Sequence, residues 1–260
     1  MSELIVRRDG AVGSIVFSNP ARYNAMTFDM WQGLPAALAA FDADAGVRVV
    51  VLSGDGDKAF VSGADISQFE KTRATPDAQA VYNRAVEAAY LAPLRSAKPV
   101  VAKIRGICMG GGLGLAAACD IRIAADDAVF RMPAARLGLG YNFVGMRRFV
   151  QVLGAANTAD IFFSARKFDA ADALHMGFAN RVVAAADLDR EVDAYCRVVG
   201  ENAPLSLVQA KSAIREVLKD PADRDLGALQ KMVESCFGSE DYREGRTAFM
   251  EKRTPQFKGR

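Results

Sequence analysis

The 260-residue sequence holds few of the residues that usually mark a reactive centre. It has one histidine, His175, and four scattered cysteines, Cys108, Cys119, Cys196 and Cys236. No cysteine pair has C-x-x-C spacing, so neither a zinc site nor any other metal site is expected. Scattered thiols fit buried free cysteines in a reducing compartment. Cys108 and Cys119 flank a glycine run but have no basic neighbour in sequence, which favours packing over nucleophilic catalysis. His175 falls just before Gly177, where an imidazole suits a helix C-terminus, and a Ser-His-Asp hydrolase is disfavoured. An excess of one charge is also absent: 33 basic against 31 acidic residues give +2, and nothing calls for nucleic acid as a partner. No apolar run is long enough to cross a bilayer, and the N-terminal MSELIVRRDG lacks the apolar stretch of a signal peptide. These absences set the expectation of a cytoplasmic protein without a membrane partner. Carboxylates, finally, are missing from two long segments, Glu87 to Asp120 and Asp127 to Asp160.

What is present is a large apolar fraction, 51%, enough for a sizeable core. Leu4 to Arg8 and Val12 to Phe17 around Asp9-Gly10 predict a β-hairpin. Thr27 predicts a helix cap ahead of Phe28, Trp31, Leu34, Leu38 and Phe41, with Pro35 expected to kink that helix or shift its start. Val47 to Leu52, Pro99 to Ile104, Ile121 to Ala125, Val129 to Met132 and Phe178 to Val183 read as strands. Thr75-Pro76 opens a helix to about Tyr90, and Asp169 caps a short one that Gly177 ends. Beyond Ala186 only helical periodicity remains, over Asp187 to Asn202, Leu205 to Leu218 and Arg224 to Phe237. This order predicts an α/β core over residues 1–186 and a helical region over 187–260.

The chain delivers a strand into Gly110-Gly111-Gly112 and then into a helix. Such a turn aims backbone N–H groups at a positive helix end, where they can hold a phosphate or a developing oxyanion. The phosphate-loop Gly-Lys-Ser/Thr is missing, and the dinucleotide pattern is not matched. Close helix packing through small residues accounts for the glycines equally well. A second glycine-containing loop, Ala59-Phe-Val-Ser-Gly-Ala-Asp-Ile66, supplies further N–H groups, and two donors from separate loops are what an oxyanion hole requires.

With these segments the chain resembles the crotonase superfamily, the enoyl-CoA hydratase/isomerase family. The similar pieces run nearly end to end. They are Asn19-Pro20, Asn24-Ala25-Met26, Val47 to Gly54, Phe60 to Ile66, Lys98 to Ala102, Gly106 to Asp120, Phe130-Arg-Met-Pro133, Leu137-Gly138, Ala173 to Phe178, Asp241 to Phe249 and Lys252 to Pro255. The resemblance implies a spiral of ββα units with a C-terminal helical trimerisation region, in a homotrimer or homohexamer. It implies an acyl-CoA substrate, with no separate cofactor because coenzyme A is part of that substrate. It places the thioester oxygen between the backbone N–H groups of Ala64 and Gly111. Coenzyme A would follow Asn24, Ala25 and Met26 and then Ala64, Asp65 and Ile66, while Phe249 and Lys252 match positions that serve a neighbouring subunit's nucleotide site.

Hydratases of the family use two glutamates, and the matching positions here are Gly114 and Ala134. In their place stands Arg136-Leu-Gly-Leu-Gly-Tyr-Asn-Phe-Val-Gly145, a segment similar to the methylmalonyl-CoA decarboxylase branch, in which the match to Tyr141 lies beside the acyl group. A tyrosine, with an ordinary pKa of about 10, can donate a proton but is a poor base near neutrality. Arg136 could meet an acyl carboxylate or simply face solvent. Asp65 and Glu70 are the nearest replacement carboxylates, although Asp65 also suits a loop hydrogen-bonding role. Three readings follow: an enolate-forming lyase or isomerase on an acyl-CoA, a decarboxylase of a malonyl-type thioester using Tyr141, or a CoA-binding structural subunit without catalysis.

Overall fold

The structure is a computed structural model that describes residues 2–68 and 74–260. Its first element is the expected hairpin. Strands β1 (Glu3–Asp9) and β2 (Val12–Ser18) pair antiparallel with Asp9 opposite Val12, and Gly10 takes the positive φ of 55° that a two-residue turn needs. Helix α1 (Phe28–Ala43) follows, with the Thr27 hydroxyl accepting from the Met30 N–H. Pro35 neither ends this helix nor shifts its start. The buried stripe of Met30, Trp31, Leu34, Leu38 and Phe41 continues across it, and that packing outweighs one missing N–H.

From here the chain repeats one move. Two successive strands enter two different sheets, and a helix returns. The strands β3 (Val49–Gly54), β5 (Val100–Ile104), β7 (Ile121–Ala125) and β10 (Arg181–Val183) extend the hairpin into a six-stranded sheet, ordered β1-β2-β3-β5-β7-β10. The short strands β4 (Ala59–Val61), β6 (Ile107–Met109), β8 (Val129–Arg131) and β9 (Lys167–Asp169) form the second, ordered β4-β6-β8-β9. The helices between them are α2 (Pro76–Arg95), α3 (Gly111–Ala118), α4 (Phe143–Ser164) and α5 (Ala170–His175). This spiral of ββα units is the architecture the sequence suggested.

Both faces of the larger sheet are covered. One face joins the core of Ile15, Phe17, Trp31, Leu34, Leu52, Phe60, Phe130 and Phe149. The other face, Val49, Val51, Val101 and Ile123, packs against Leu188, Val192, Cys196 and Val199 of α6 (Leu188–Gly200). Strands buried on two faces read as continuous apolar runs, as β3 does. The first helix beyond residue 186 is thus part of the sheet core. Helices α7 (Pro204–Val217), α8 (Leu226–Gly238) and α9 (Glu240–Glu251) complete the chain.

Helix α2 runs past Tyr90 to Arg95 because its last turns stay buried through Ala89, Tyr90, Ala92 and Pro93. The Pro93 carbonyl near its end accepts from Lys211 Nζ of α7 at 2.8 Å, and the same ammonium pairs with Asp120 at 2.7 Å. The last strand is shorter than the stretch from Phe178 suggested, since Phe178 and Ala179 pack in the core.

Candidate active site

Two loops meet at the end of the second sheet. The first leaves β6 through Gly110, whose φ of 52° is open to glycine and whose N–H donates to the Arg131 carbonyl at 2.9 Å. Helix α3 then starts at Gly111. At Gly112 the helix presses on β4: a Cβ there would lie 2.1 Å from the Val61 carbonyl oxygen. The Gly111 N–H, first in the helix, has no intrahelical acceptor and none elsewhere among the described residues.

Two arginines complete the other end of α3. Buried Arg122 donates to the Ala116 carbonyl at 3.1 Å and the Cys119 carbonyl at 2.8 Å. Arg148, from α4, donates to Ala117 at 2.6 Å and Cys119 at 2.9 Å. These cations complement the negative end of the helix dipole. Burial pulls both pKa values down, that of Arg122 to about 10.

The second loop leaves β4 at Val61. Met26 pairs with Ala64 as a parallel bridge, the Met26 N–H reaching the Gly63 carbonyl at 2.8 Å and the Asp65 N–H reaching the Met26 carbonyl at 2.9 Å. In that ladder the Ala64 N–H points away from Met26, and it has no acceptor among the described residues. The two loops lie side by side: a Cβ on Gly63 would fall 4.0 Å from the Gly111 nitrogen.

The Asn24 loop supports this arrangement from behind. Asn24 accepts from the Asn19 N–H and donates to the Asp55 and Ala59 carbonyls at 3.0 and 2.8 Å. Asn24, Ala25 and Met26 are all buried, so their side chains face the protein interior. What they do here is hold the Ala64 strand and the turn before β4. Asp65 is likewise committed, accepting from the Ser67 N–H and hydroxyl at 3.1 and 2.7 Å and pairing with Arg22 at 3.1 Å. It is a loop-bracing carboxylate, not a spare base. Ile66 is 66% exposed and Phe249 is 82% exposed, so both present apolar surface. Lys252 is exposed where it ends α9 with a φ of 53°.

Gly114 sits inside α3, and its surroundings explain the missing side chain. A Cβ there would lie 2.7 Å from the Tyr90 hydroxyl oxygen and 2.8 Å from that of Tyr141. Tyr90 comes from α2 and is buried. The Tyr141 ring stands edge-on to Phe149 and Phe162 at 5.9 and 5.1 Å, with its hydroxyl enclosed. That hydroxyl makes no well-formed hydrogen bond, and the Tyr90 hydroxyl is its polar neighbour. Burial pushes the Tyr141 pKa up to about 12, while the Tyr90 contact pulls it back slightly. Trp31 stands edge-on to Tyr90 at 5.7 Å, and a Cβ on Gly111 would meet Trp31 Cζ2 at 3.0 Å.

Among the described residues, no carboxylate lines this corner. A cavity of about 10 Å³ beside Gly114 is lined by Tyr90, Leu94, Ala118, Val144, Arg148 and Phe149 with their glycine neighbours. Ala134 is buried at the start of the short turn Ala134–Leu137, and Arg136 in that turn faces solvent. Glu70 lies outside the described residues. His175 ends α5 on the surface. Cys108 and Cys119 are fully buried, and burial raises both thiols, Cys119 to about 12. Tyr90 and Trp31 are the site neighbours that sequence reasoning missed. A glycine inside a helix was the available signal for a close approach at position 114.

The enoyl-CoA hydratase/isomerase family pattern matches residues 7–260. The chain belongs to that family. Members act on acyl-CoA thioesters, so this enoyl-CoA hydratase/isomerase family protein is an acyl-CoA enzyme by descent. It is 30% identical over 255 residues to the short-chain-enoyl-CoA hydratase of Clostridium acetobutylicum, covering 97% of this chain and 96% of that one. It is 30% identical to the crotonyl-CoA hydratase of Syntrophomonas wolfei over 98% of this chain and 97% of that one. A crystal structure from Magnetospirillum magneticum, described as an enoyl-CoA hydratase/carnithine racemase, superposes with a TM-score of 0.95 at 33% identity, over 100% of this chain and 97% of that one.

Proposed function

We propose that this family member converts an acyl-CoA thioester through an enolate-like state without adding water to a double bond. The thioester oxygen would sit between the Ala64 and Gly111 N–H groups at the positive end of α3, where charge developing on it is stabilised. Tyr141 would supply the proton. With its pKa raised to about 12 by burial, its hydroxyl stays protonated at neutral pH and can give a proton but not take one.

The observation that carries this reading is the corner at Gly114. Two tyrosine hydroxyls fill the space where a side chain would project, and position 134 is a buried alanine. Hydration needs a base for the water and an acid for the α-carbon, and neither position offers one. Decarboxylation of a malonyl-type thioester is the reaction these groups serve best. The bond from the α-carbon to the carboxylate breaks with release of CO2, its electron pair enters the thioester enolate, and Tyr141 protonates the α-carbon before regaining a proton from solvent. A corner without carboxylates among the described residues also spares an acidic acyl group from repulsion. Coenzyme A would lie along Ala64, Asp65 and Ile66, with Phe249 and Lys252 of a neighbouring subunit at its nucleotide end in a trimer or hexamer. Turnover measured across a panel of enoyl-, malonyl- and hydroxyacyl-CoA esters tests the reading: malonyl-type esters should lead, and hydration of enoyl esters as the main activity would refute it.

A further inference from the structure

Gly114 brings together two hydroxyls, and the function proposed so far uses only one of them. We propose that Tyr90 is a positioning residue for the acyl pocket: its hydroxyl donates to Tyr141 Oη and so turns the Tyr141 proton toward an acyl group held at the Gly111 end of α3. The inference rests on the acyl-CoA reading above and adds to it a residue from α2.

The placement of Tyr90 supports this role. Its hydroxyl oxygen would be 2.7 Å from a Cβ at Gly114 and 3.6 Å from one at Gly111, so it lies along the first turn of α3. The Tyr141 hydroxyl is 2.8 Å from the same point at Gly114, which puts the two oxygens on one small patch. The ring of Tyr90 is fixed from α1 by the edge-on Trp31 and is buried.

The chemistry of the pair follows from proton counting. A phenol has one proton to give and lone pairs to accept with. If Tyr141 Oη receives from Tyr90, its own proton is left for the ligand. A phenol that accepts a hydrogen bond is also a stronger donor, because the bond favours its charged form. The nearest cation along the adjoining cavity, Arg148, is spent on the Ala117 and Cys119 carbonyls. Among the described residues, no Asp or Glu lines that cavity. Gly114 is then required for a second reason, since any side chain there separates the pair.

Acetoacetyl-CoA, an enolisable β-ketoacyl thioester, is the probe. Its enolate has its own near-ultraviolet band, so the bound enolate-to-keto ratio can be read at one fixed pH. Replacing Tyr141→Phe should lower that ratio about ten-fold, and Tyr90→Phe should lower it about three- to ten-fold. The double variant should match Tyr141→Phe alone, because one residue acts through the other. Gly114→Ala, which keeps both hydroxyls but pushes them apart, should lower the ratio as Tyr90→Phe does. An unchanged ratio in Tyr90→Phe or Gly114→Ala while the complex still forms would overturn the inference and leave the acyl-CoA reading standing. Full additivity in the double variant would overturn it too. Failure of the wild-type protein to bind acetoacetyl-CoA or coenzyme A at all would overturn both.

Discussion

At positions 114 and 134 the chain carries Gly and Ala where the resemblance implies the two hydratase glutamates, and on the proposed reading restoring them should not create hydration. A Cβ at Gly114 would stand 2.7 Å from Tyr90 and 2.8 Å from Tyr141, so Gly114→Glu forces side chains apart in a packed corner. We predict that Gly114→Glu combined with Ala134→Glu lowers stability by about 1–3 kcal/mol for the overpacking and leaves crotonyl-CoA hydration at background. Efficient hydration by that double variant would show that the tyrosine pair yields easily. Tyr141→Phe should reduce kcat of whichever reaction is found by about 10²-fold, the usual contribution of a positioned acid, with little change in coenzyme A affinity. Much of this corner was legible as residue identity: Gly111, Gly114, Ala134 and Tyr141 all stand out in the string. Tyr90 did not, because it reads as one more apolar position on a helix, and only the packing of α2 on α3 gives its hydroxyl a neighbour. The Asn24-Ala25-Met26 motif marked its loop, but not that the backbone turns these side chains inward.

Helix α3 is short, eight residues, and its two ends do different work. Its N-terminus offers the Gly111 N–H, and its C-terminus is closed by Arg122 and Arg148. Replacing Arg122→Met should cost about 3 kcal/mol or more in a denaturant titration, because it strands several buried carbonyls. The C-terminal segment shows a second device. Arg253 pairs with Glu244 of α9, and the Gln256 N–H donates to the same carboxylate at 2.8 Å. The Arg253 pairing, aided by that N–H, holds the Glu244 pKa down to about 2. A folded pKa depressed below the unfolded value of about 4.3 adds stability that is present above it and is lost as pH falls through it toward about 2. Hydrogen exchange of the last residues should therefore quicken below about pH 4, and Glu244→Gln should remove that pH dependence. Among the elements, the hairpin and the helices capped by Thr27, Thr75 and Asp169 were legible because each carries a start signal and a period. Helix α4 was not. It holds Gly145 and is interrupted at Gly154, where φ is 74°, so its apolar stripe changes face midway. All four strands of the second sheet are three residues long, too short for a period to show; only β8 was read, as Val129 to Met132, while β4, β6 and β9 were missed.

Across the whole molecule, the alternation of strand and helix announced the α/β class, but not that successive strands enter different sheets. That division depends on long-range pairing, such as Ala59 with Ile107, which no local window contains. The helical region also held more than a periodicity could say, since α6 covers the sheet while α7 to α9 leave Phe237, Phe249 and Met250 largely exposed. An open cavity of about 580 Å³ between these last helices is lined by Leu205, Val233, Phe237, Tyr242 and Phe257. So much exposed apolar surface fits a face covered by other subunits. Sedimentation at micromolar concentration should find a trimer or hexamer, and a monomer would contradict this. The central claim is that the fold and oxyanion site of a hydratase are kept here without its water chemistry. Crotonyl-CoA turnover by the purified wild-type protein tests it most directly. The account predicts measurable binding of the ester with hydration near background, and hydration on the order of 10² per second would contradict it.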